Sequence, residues 1–272
     1  MNAAADRDYV LGTHDEEIAR LGLQHELWRP RMLAAWDRAG FKAGMRIVDV
    51  GAGPGYATVD LAARVGPQGE VVAVERSARF MAYGAAQCKA RGLAQVRYVE
   101  GDVMQPLPAQ NMDASWCRWV GSFVPSPAGL VANIAAALKP GGIALFHEYA
   151  DYRSWRMAPR RPLHEEFVAH VMGSWRDSGS EPDVARGLPA LLHAQGFRVR
   201  HVEPIVWTVS PADPLWRWLA AYIQTGPQRL LELGRVDANW IERLHAELRE
   251  AEADGVTRMT TPMLFEIVAE RT

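Results

Sequence analysis

From residue 46 onward the chain alternates short β-branched and aliphatic runs with stretches whose apolar positions recur every three to four residues. This is the pattern of parallel strands joined by crossover helices. Strands are expected at residues 46–50, 70–75, 96–100, 114–118, 143–149, 197–209 and 263–268. A helix over 56–65 ends at Gly66-Pro67, and another, capped by Ser77, runs to 91 and closes at Gly92. A third, 127–138, stops where Lys139-Pro140-Gly141-Gly142 cannot continue it. Beyond an arginine-rich, proline-bounded loop at 153–162, helical spacing returns at 163–178, 184–194, 215–232 and 238–253. Residues 15–39 read as helix broken at Pro30, with Ile18, Leu21, Leu33 and Trp36 on a buried face.

The expected class is therefore α/β: a seven-stranded, mostly parallel sheet with helices on both faces. An N-terminal helical lid (1–43) precedes the core (44–152), followed by insertion helices with the sixth strand (153–212). A helical cap (213–261) is inserted between the last two strands, and the final strand occupies 262–272.

Composition narrows the partners. A chain of 272 residues, 49% hydrophobic, can bury a large core, and a net charge of -2 offers no general field for a phosphate backbone. Nucleic acid is not expected. Cys88 and Cys117 are the only cysteines and have no metal-ligand spacing, so both are expected to be reduced, buried thiols. No apolar stretch reaches the roughly 18 residues of a membrane span, and the first ten residues lack a charged-then-apolar leader pattern. The expectation is a soluble, cytoplasmic monomer or homodimer, without a membrane partner.

The chemistry starts at Ile47-Val48-Asp49-Val50-Gly51-Ala52-Gly53-Pro54-Gly55, where three glycines fill the turn from the first strand into its helix. Such a turn lets bare backbone approach a ligand at a helix N-terminus. The dinucleotide fingerprint GxGxxG would need glycine at position 56, which is Tyr56. Glu75 ends the second strand about 20 residues later, where a carboxylate can accept from both hydroxyls of a ribose. Asp102, just past the third strand, can accept from the exocyclic amine of adenine while Val103 covers the ring.

Taken together these residues resemble class I S-adenosylmethionine-dependent methyltransferases, and the resemblance runs over nearly the whole chain. It implies a Rossmann-like fold, S-adenosyl-L-methionine as cofactor and S-adenosyl-L-homocysteine as product. It implies that Asp49, Gly51, Ala52, Gly53 and Gly55 surround the methionine part, Glu75 the ribose, and Asp102 with Val103 the adenine. Arg76, Phe80 and Met81 would flank the base, and backbone at Cys117, Arg118 and Trp119 would receive the ammonium group. A narrower likeness is to bacterial small-molecule methyltransferases with an N-terminal YxLGxxxxExxRLxxQ, matched by Tyr9, Leu11, Gly12, Glu17, Arg20, Leu21 and Gln24. The later HEYxDY of that group appears at 147–152. This likeness implies a lid in which Tyr9 and Gln24 contact the cofactor.

Methyl transfer from a sulfonium is an in-line displacement, in which orientation alone can supply about 7–11 kcal/mol of the barrier. A base is needed only if the acceptor loses a proton during attack. His147 and Glu148 near the end of the fifth strand, and Tyr9 on the lid, are the candidate catalytic groups; strand alternation puts His147 and Tyr149 on one side. Ten tryptophans are many for this length, and several fall in the lid and cap segments. An apolar, aromatic-lined pocket for a natural-product-type metabolite is expected, with Tyr9, His14, Trp28, Tyr149 and Trp175 as substrate contacts. Arg153, Arg156, Arg160 and Arg161 form either a solvated loop face or an anion contact.

Competing expectations have their own signatures. Nucleobase amino-methyltransferases carry D/N-P-P-Y/F/W after the fourth strand, where this chain has Cys117-Arg118-Trp119-Val120. Catechol-type enzymes need a cluster of magnesium ligands, and Asp151 alone does not make one, so no metal is expected. A nicotinamide-dependent reductase would show GxGxxG, and a non-catalytic sensor or scaffold would bind the cofactor without turnover.

Overall fold

A computed structural model describes residues 15–272. Tyr9, Leu11, Gly12 and His14 lie outside the described residues. Helix α1 (Asp15–Ala39) runs through Pro30 without the expected break. Proline removes one N–H bond, but Glu26, whose carbonyl loses its donor, and Pro30 itself are exposed, so water can replace it. Trp28, Met32 and Trp36, fully buried on either side, hold the helix against the body.

The core follows as β1 (Arg46–Val50), α2 (Tyr56–Val65), β2 (Glu70–Glu75), α3 (Ala78–Ala90), β3 (Val96–Glu100), β4 (Met112–Arg118), α4 (Pro127–Ala137) and β5 (Leu138–Asp151). Then come β6 (Arg156–Ala158), α5 (Pro162–Asp177), α6 (Leu188–Ala194), β7 (Phe197–Ile205), β8 (Thr208–Val209), α7 (Pro214–Glu232), α8 (Ala238–Ala253), β9 (Arg258–Thr260) and β10 (Met263–Arg271). The seven-stranded sheet has the order β3-β2-β1-β4-β5-β10-β7, with β10 antiparallel to both neighbours. Helices α7 and α8 stand between β7 and β10 in the chain, where the cap was expected.

Strand alternation sorts the two faces. Ile47, Trp116 and Leu145 face α1 and α2, meeting Trp36, Leu61 and Val65. Val48, Cys117 and Phe146 face the opposite way, meeting Leu130, Ile134 and Leu188. A third cluster, which takes Tyr149, Ile205 and Leu264 from the sheet, joins Trp28 to Trp216, Trp218 and Ile223 of α7.

Several boundaries correct the sequence expectations. β5 begins at Leu138 and absorbs the Lys139–Gly142 turn, with Gly141 at φ 75° and a register shift opposite Met112/Ala114. The 197–209 run divides, because Thr208 and Val209 leave the main sheet to pair with β9, which also pairs β6 in a separate three-stranded sheet. The 184–194 helix is a 3₁₀ turn (Val184–Arg186) followed by α6, with Pro189 in the first helical turn. Among the described residues no helix is long and apolar enough to cross a membrane.

Candidate active site

The order β2-β1-β4 places a topological switch between β1 and β4, where the connections depart to opposite sides and the strand ends leave a crevice. Asp49, Gly51, Ala52 and Gly53 line it from β1, Glu75 and Arg76 from β2, Asp102 and Val103 after β3, and Arg118 and Trp119 after β4. Gln24 reaches in from α1. The cavity measures about 510 Å³, within the range of small-molecule sites.

Backbone geometry explains the glycines. Gly53 has φ 57°, nothing within 4 Å of where a side chain would start, and its N–H donates to Glu75 Oε2 at 2.8 Å. Gly55 has φ 83°, and a Cβ there would fall onto the Tyr98 hydroxyl. Glu75 Oε1 accepts the N–H groups of Arg76 and Ser77, each at 2.9 Å, so this one carboxylate braces the glycine turn and remains at the crevice wall. Asp49 is buried beneath the turn and accepts from Thr58 Oγ1 at 2.6 Å. Burial pushes its carboxyl up to about 6, against the opposing pull of Thr58 and Arg118. Asp102 accepts from the Met104 N–H at 2.9 Å and keeps its carboxylate exposed. A cavity of this size, with bare backbone at one end and carboxylates where a ribose and a base amine need acceptors, fits an adenosyl cofactor.

Arg118 is a cation in the crevice wall with no carboxylate within ion-pair distance among the described residues. Its guanidinium lies 4.9 Å from the Trp119 ring and 5.7 Å from the Trp116 ring, and burial pulls its pKa down to about 10. Nη2 lies 3.4 Å from His25 Nδ1, and His25 Nε2 lies 3.0 Å from Asp60 Oδ2. An ionised Asp60 needs a donor, so Nε2 carries the proton and Nδ1 is left to accept from Arg118. Burial lowers the His25 pKa, which keeps the ring neutral for that role. Sequence reasoning missed His25; its signal was the four-residue step from Leu21, which lines the same crevice one helical turn earlier.

A second, smaller chamber of about 40 Å³ adjoins the crevice, walled by Trp119, Tyr149, Tyr152, Trp155, Trp175 and Trp218. Gln24, Trp119 and Phe123 border both spaces, so the two cavities meet at these residues. Trp119 has φ 54°, a conformation that costs a bulky residue about 1–3 kcal/mol and is found where function over-determines the backbone. Of the expected substrate contacts, Tyr149 and Trp175 are in this wall. Trp28 is not: it is fully buried behind the wall, edge-on to Trp119, Trp207 and Trp218 at 5.2, 4.9 and 5.1 Å.

Other expectations are corrected by burial. His147 is fully buried and borders neither cavity; its Nε2 lies 3.2 Å from Glu266 Oε2 and its ring packs on Trp116 at 5.0 Å. Burial alone would raise the Glu266 carboxyl, but His147 and Arg38 bring it down to about 2. Glu148, also fully buried, accepts the N–H groups of Val120 and Gly121, each at 2.8 Å, and so holds the turn that carries Trp119. Burial raises its carboxyl to about 7 while those N–H groups oppose the rise. Cys117 is a fully buried thiol 3.9 Å from Glu148 and offers no side-chain contact to the crevice. Phe80, not Met81, borders the crevice, because Met81 is displaced around α3, and Gly55 opens toward a neighbouring groove against α1.

The arginine loop is largely paired: Arg160 with Glu165 at 2.8 Å and Arg161 with Asp254 at 2.5 Å. His201, Glu203 and Glu266 come within 4.8 Å of one another, a spacing that could suit a metal. Arg31 lies 2.7 Å from Glu203, and Arg38 lies 2.8 Å from Glu266, so arginine charges already occupy the carboxylates.

Comparison with known proteins agrees with this geometry. A family profile described as a methyltransferase domain matches residues 48–146. Demethylmenaquinone methyltransferase of Geobacillus stearothermophilus is 30% identical over 199 residues, covering 69% of this chain and 84% of that protein. Trans-aconitate 2-methyltransferase of Methylobacterium nodulans is 26% identical over 254 residues, covering 86% and 90%. The fold is similar to that of geranyl diphosphate C-methyltransferase from Streptomyces coelicolor A3(2), with a TM-score of 0.59, 18% identity, and coverage of 100% of this chain and 90% of that one.

Proposed function

Because the chain belongs to the class I S-adenosylmethionine-dependent methyltransferases, we propose that it methylates a small aromatic or apolar metabolite held in the chamber beside the cofactor crevice. The observation that carries this reading is the shared border: Gln24, Trp119 and Phe123 belong to both cavities, so a molecule in the chamber faces the crevice directly. The cofactor supplies an electrophilic methyl group. The chain's own residues bind, orient and exclude water: Glu75 and Asp102 supply acceptors for the nucleoside, Asp49 and Arg118 the opposite charges for the amino-acid end, and the aromatic wall keeps the acceptor dry.

No carboxylate or imidazole borders the chamber among the described residues, which favours a mechanism by positioning, independent of a divalent metal and of a side-chain base. The chamber's small volume means that an aromatic acceptor enters only as lid and cap move apart, consistent with a lid role for α1. The relatives named for demethylmenaquinone and trans-aconitate support a small-molecule acceptor here. The test is incubation with S-adenosyl-L-methionine and a panel of phenols, quinols, isoprenoids and acyclic polyacids, following S-adenosyl-L-homocysteine by mass spectrometry. Product with the ring or isoprenoid members is expected; turnover confined to the polyacids would overturn the chamber as the acceptor site.

A further inference from the structure

The polar atoms of the chamber restrict the acceptor beyond its being aromatic. Gln24 Oε1 accepts from Arg20 Nη1 at 3.1 Å and from Trp218 Nε1 at 3.0 Å. Two donors on one atom identify it as the amide oxygen, because the nitrogen could not accept from either. Gln24 Nε2, on the other branch, makes no hydrogen bond among the described residues, although the side chain borders both cavities and is only 8% exposed. Trp119 is 9% exposed, and its indole N–H likewise finds no partner among the described residues. An indole N–H buried in this way costs stability unless something accepts from it. Both donors belong to residues at the junction of the two cavities.

An aromatic box can also attract a cation, so an ammonium acceptor is the rival. Two observations oppose it. The one charged residue in the wall is Arg20, whose guanidinium lies 5.8 Å from the Tyr222 ring. The carboxylate beside it, Glu17, is engaged in a bidentate pair with Arg20 at 2.6 and 2.7 Å, and no Asp or Glu borders the chamber among the described residues. An ammonium would find no carboxylate in the chamber wall to neutralise its charge.

We infer that the chamber selects a planar ring bearing a hydroxyl or its oxyanion, a phenol-type acceptor, whose oxygen is read by the amide of Gln24 and the indole N–H of Trp119. This rests on the proposed placement of the acceptor in the chamber. The amide and indole donors favour the oxyanion, which removes the need for a base in the wall.

The experiment uses the full chain loaded with S-adenosyl-L-homocysteine and titrates 4-nitrophenol and benzylamine at pH 8, where the first is an anion and the second largely a cation, by calorimetry. S-adenosyl-L-homocysteine is titrated first in every variant. Its failure to bind would count against the cofactor site, whereas the choice between phenolate and amine is read separately. The wild type should prefer 4-nitrophenol by about tenfold or more, the scale of a hydrogen bond to a charged oxygen. Gln24→Glu, which replaces the donor amide with a carboxylate, should cancel or reverse that preference. Trp119→Phe, which keeps a ring but removes the N–H, should weaken 4-nitrophenol about threefold to tenfold and leave benzylamine unchanged. Benzylamine binding as tightly as 4-nitrophenol in the wild type overturns the inference. So does an unchanged preference in Trp119→Phe, which decides the matter if Gln24→Glu does not fold.

Discussion

The crevice and the chamber share a border yet are built in opposite ways. The crevice is made mostly of strand ends and the turns that follow them, so much of its wall comes in short runs, as in 51–54, 75–77 and 101–104. It carries carboxylates, which the chamber lacks, and one of them, Glu75, braces the turn it serves. The chamber gathers single side chains from residue 20 to residue 262, on the lid, the sheet, the insertion and the cap. It is aromatic, small, and continuous with the hydrophobic cluster that holds lid and cap together. Cofactor binding should therefore depend on local backbone, and acceptor binding on the packing of distant elements.

The largest effect expected from that contrast is on stability. Trp155→Ala removes a ring that is 1% exposed, and should cost about 3–5 kcal/mol in urea unfolding while leaving S-adenosyl-L-homocysteine affinity within about twofold. Loss of cofactor binding in the folded variant would merge the two regions and break the comparison. Glu75→Ala should act mainly on binding: affinity for the cofactor product falls more than about tenfold by calorimetry, with a smaller stability loss of about 1–3 kcal/mol from the three backbone N–H groups left without their acceptor.

A third effect is set by pH. Asp49 titrates near 6 in the free protein, above its ordinary value of 3.8, so the folded state holds a proton that the unfolded chain has released between those values. Its contribution to the fold is therefore present at acid pH and lost as pH rises through 6. On the proposed reading, in which ionised Asp49 faces the ammonium group of the cofactor, cofactor binding runs the other way. Affinity should fall by about tenfold between pH 7 and pH 5, and Asp49→Asn should flatten the profile. A wild-type profile without that fall would remove Asp49 from the site. The smallest effect belongs to neither cavity: Arg29→Ala, whose half-exposed side chain pairs with Asp60 at 2.8 Å, should change unfolding free energy by no more than about 1 kcal/mol. A larger loss would show that the His25–Asp60 link depends on it.

Residues 46–151 were legible because strand period, capping serine and glycine turn are local signals. Ser77 caps α3 through its side chain as expected, and the structure adds Ser126 as the cap of α4. The crevice walls were readable for the same reason. His147 and Glu148 show where local signals end. The strand period correctly sends neighbours to opposite faces, yet both faces of β5 are covered, so each side chain meets a buried partner and no cavity. The break foreseen at Pro30 failed because exposed backbone can bond to water, and the 197–209 strand divided because β9 offered Thr208 and Val209 a second sheet.

What the chain determines by itself is the strand-turn-helix units and the backbone bend at Gly51–Gly55, since these arise from φ freedom, capping and side-chain period within a few residues. What only the tertiary structure decided is the aromatic chamber. Gln24 and Trp218 are joined by one hydrogen bond across 194 positions of sequence, and no periodicity can encode a contact of that span. It forms because α1 and α7 pack side by side, with Trp28 of one edge-on to Trp218 of the other at 5.1 Å.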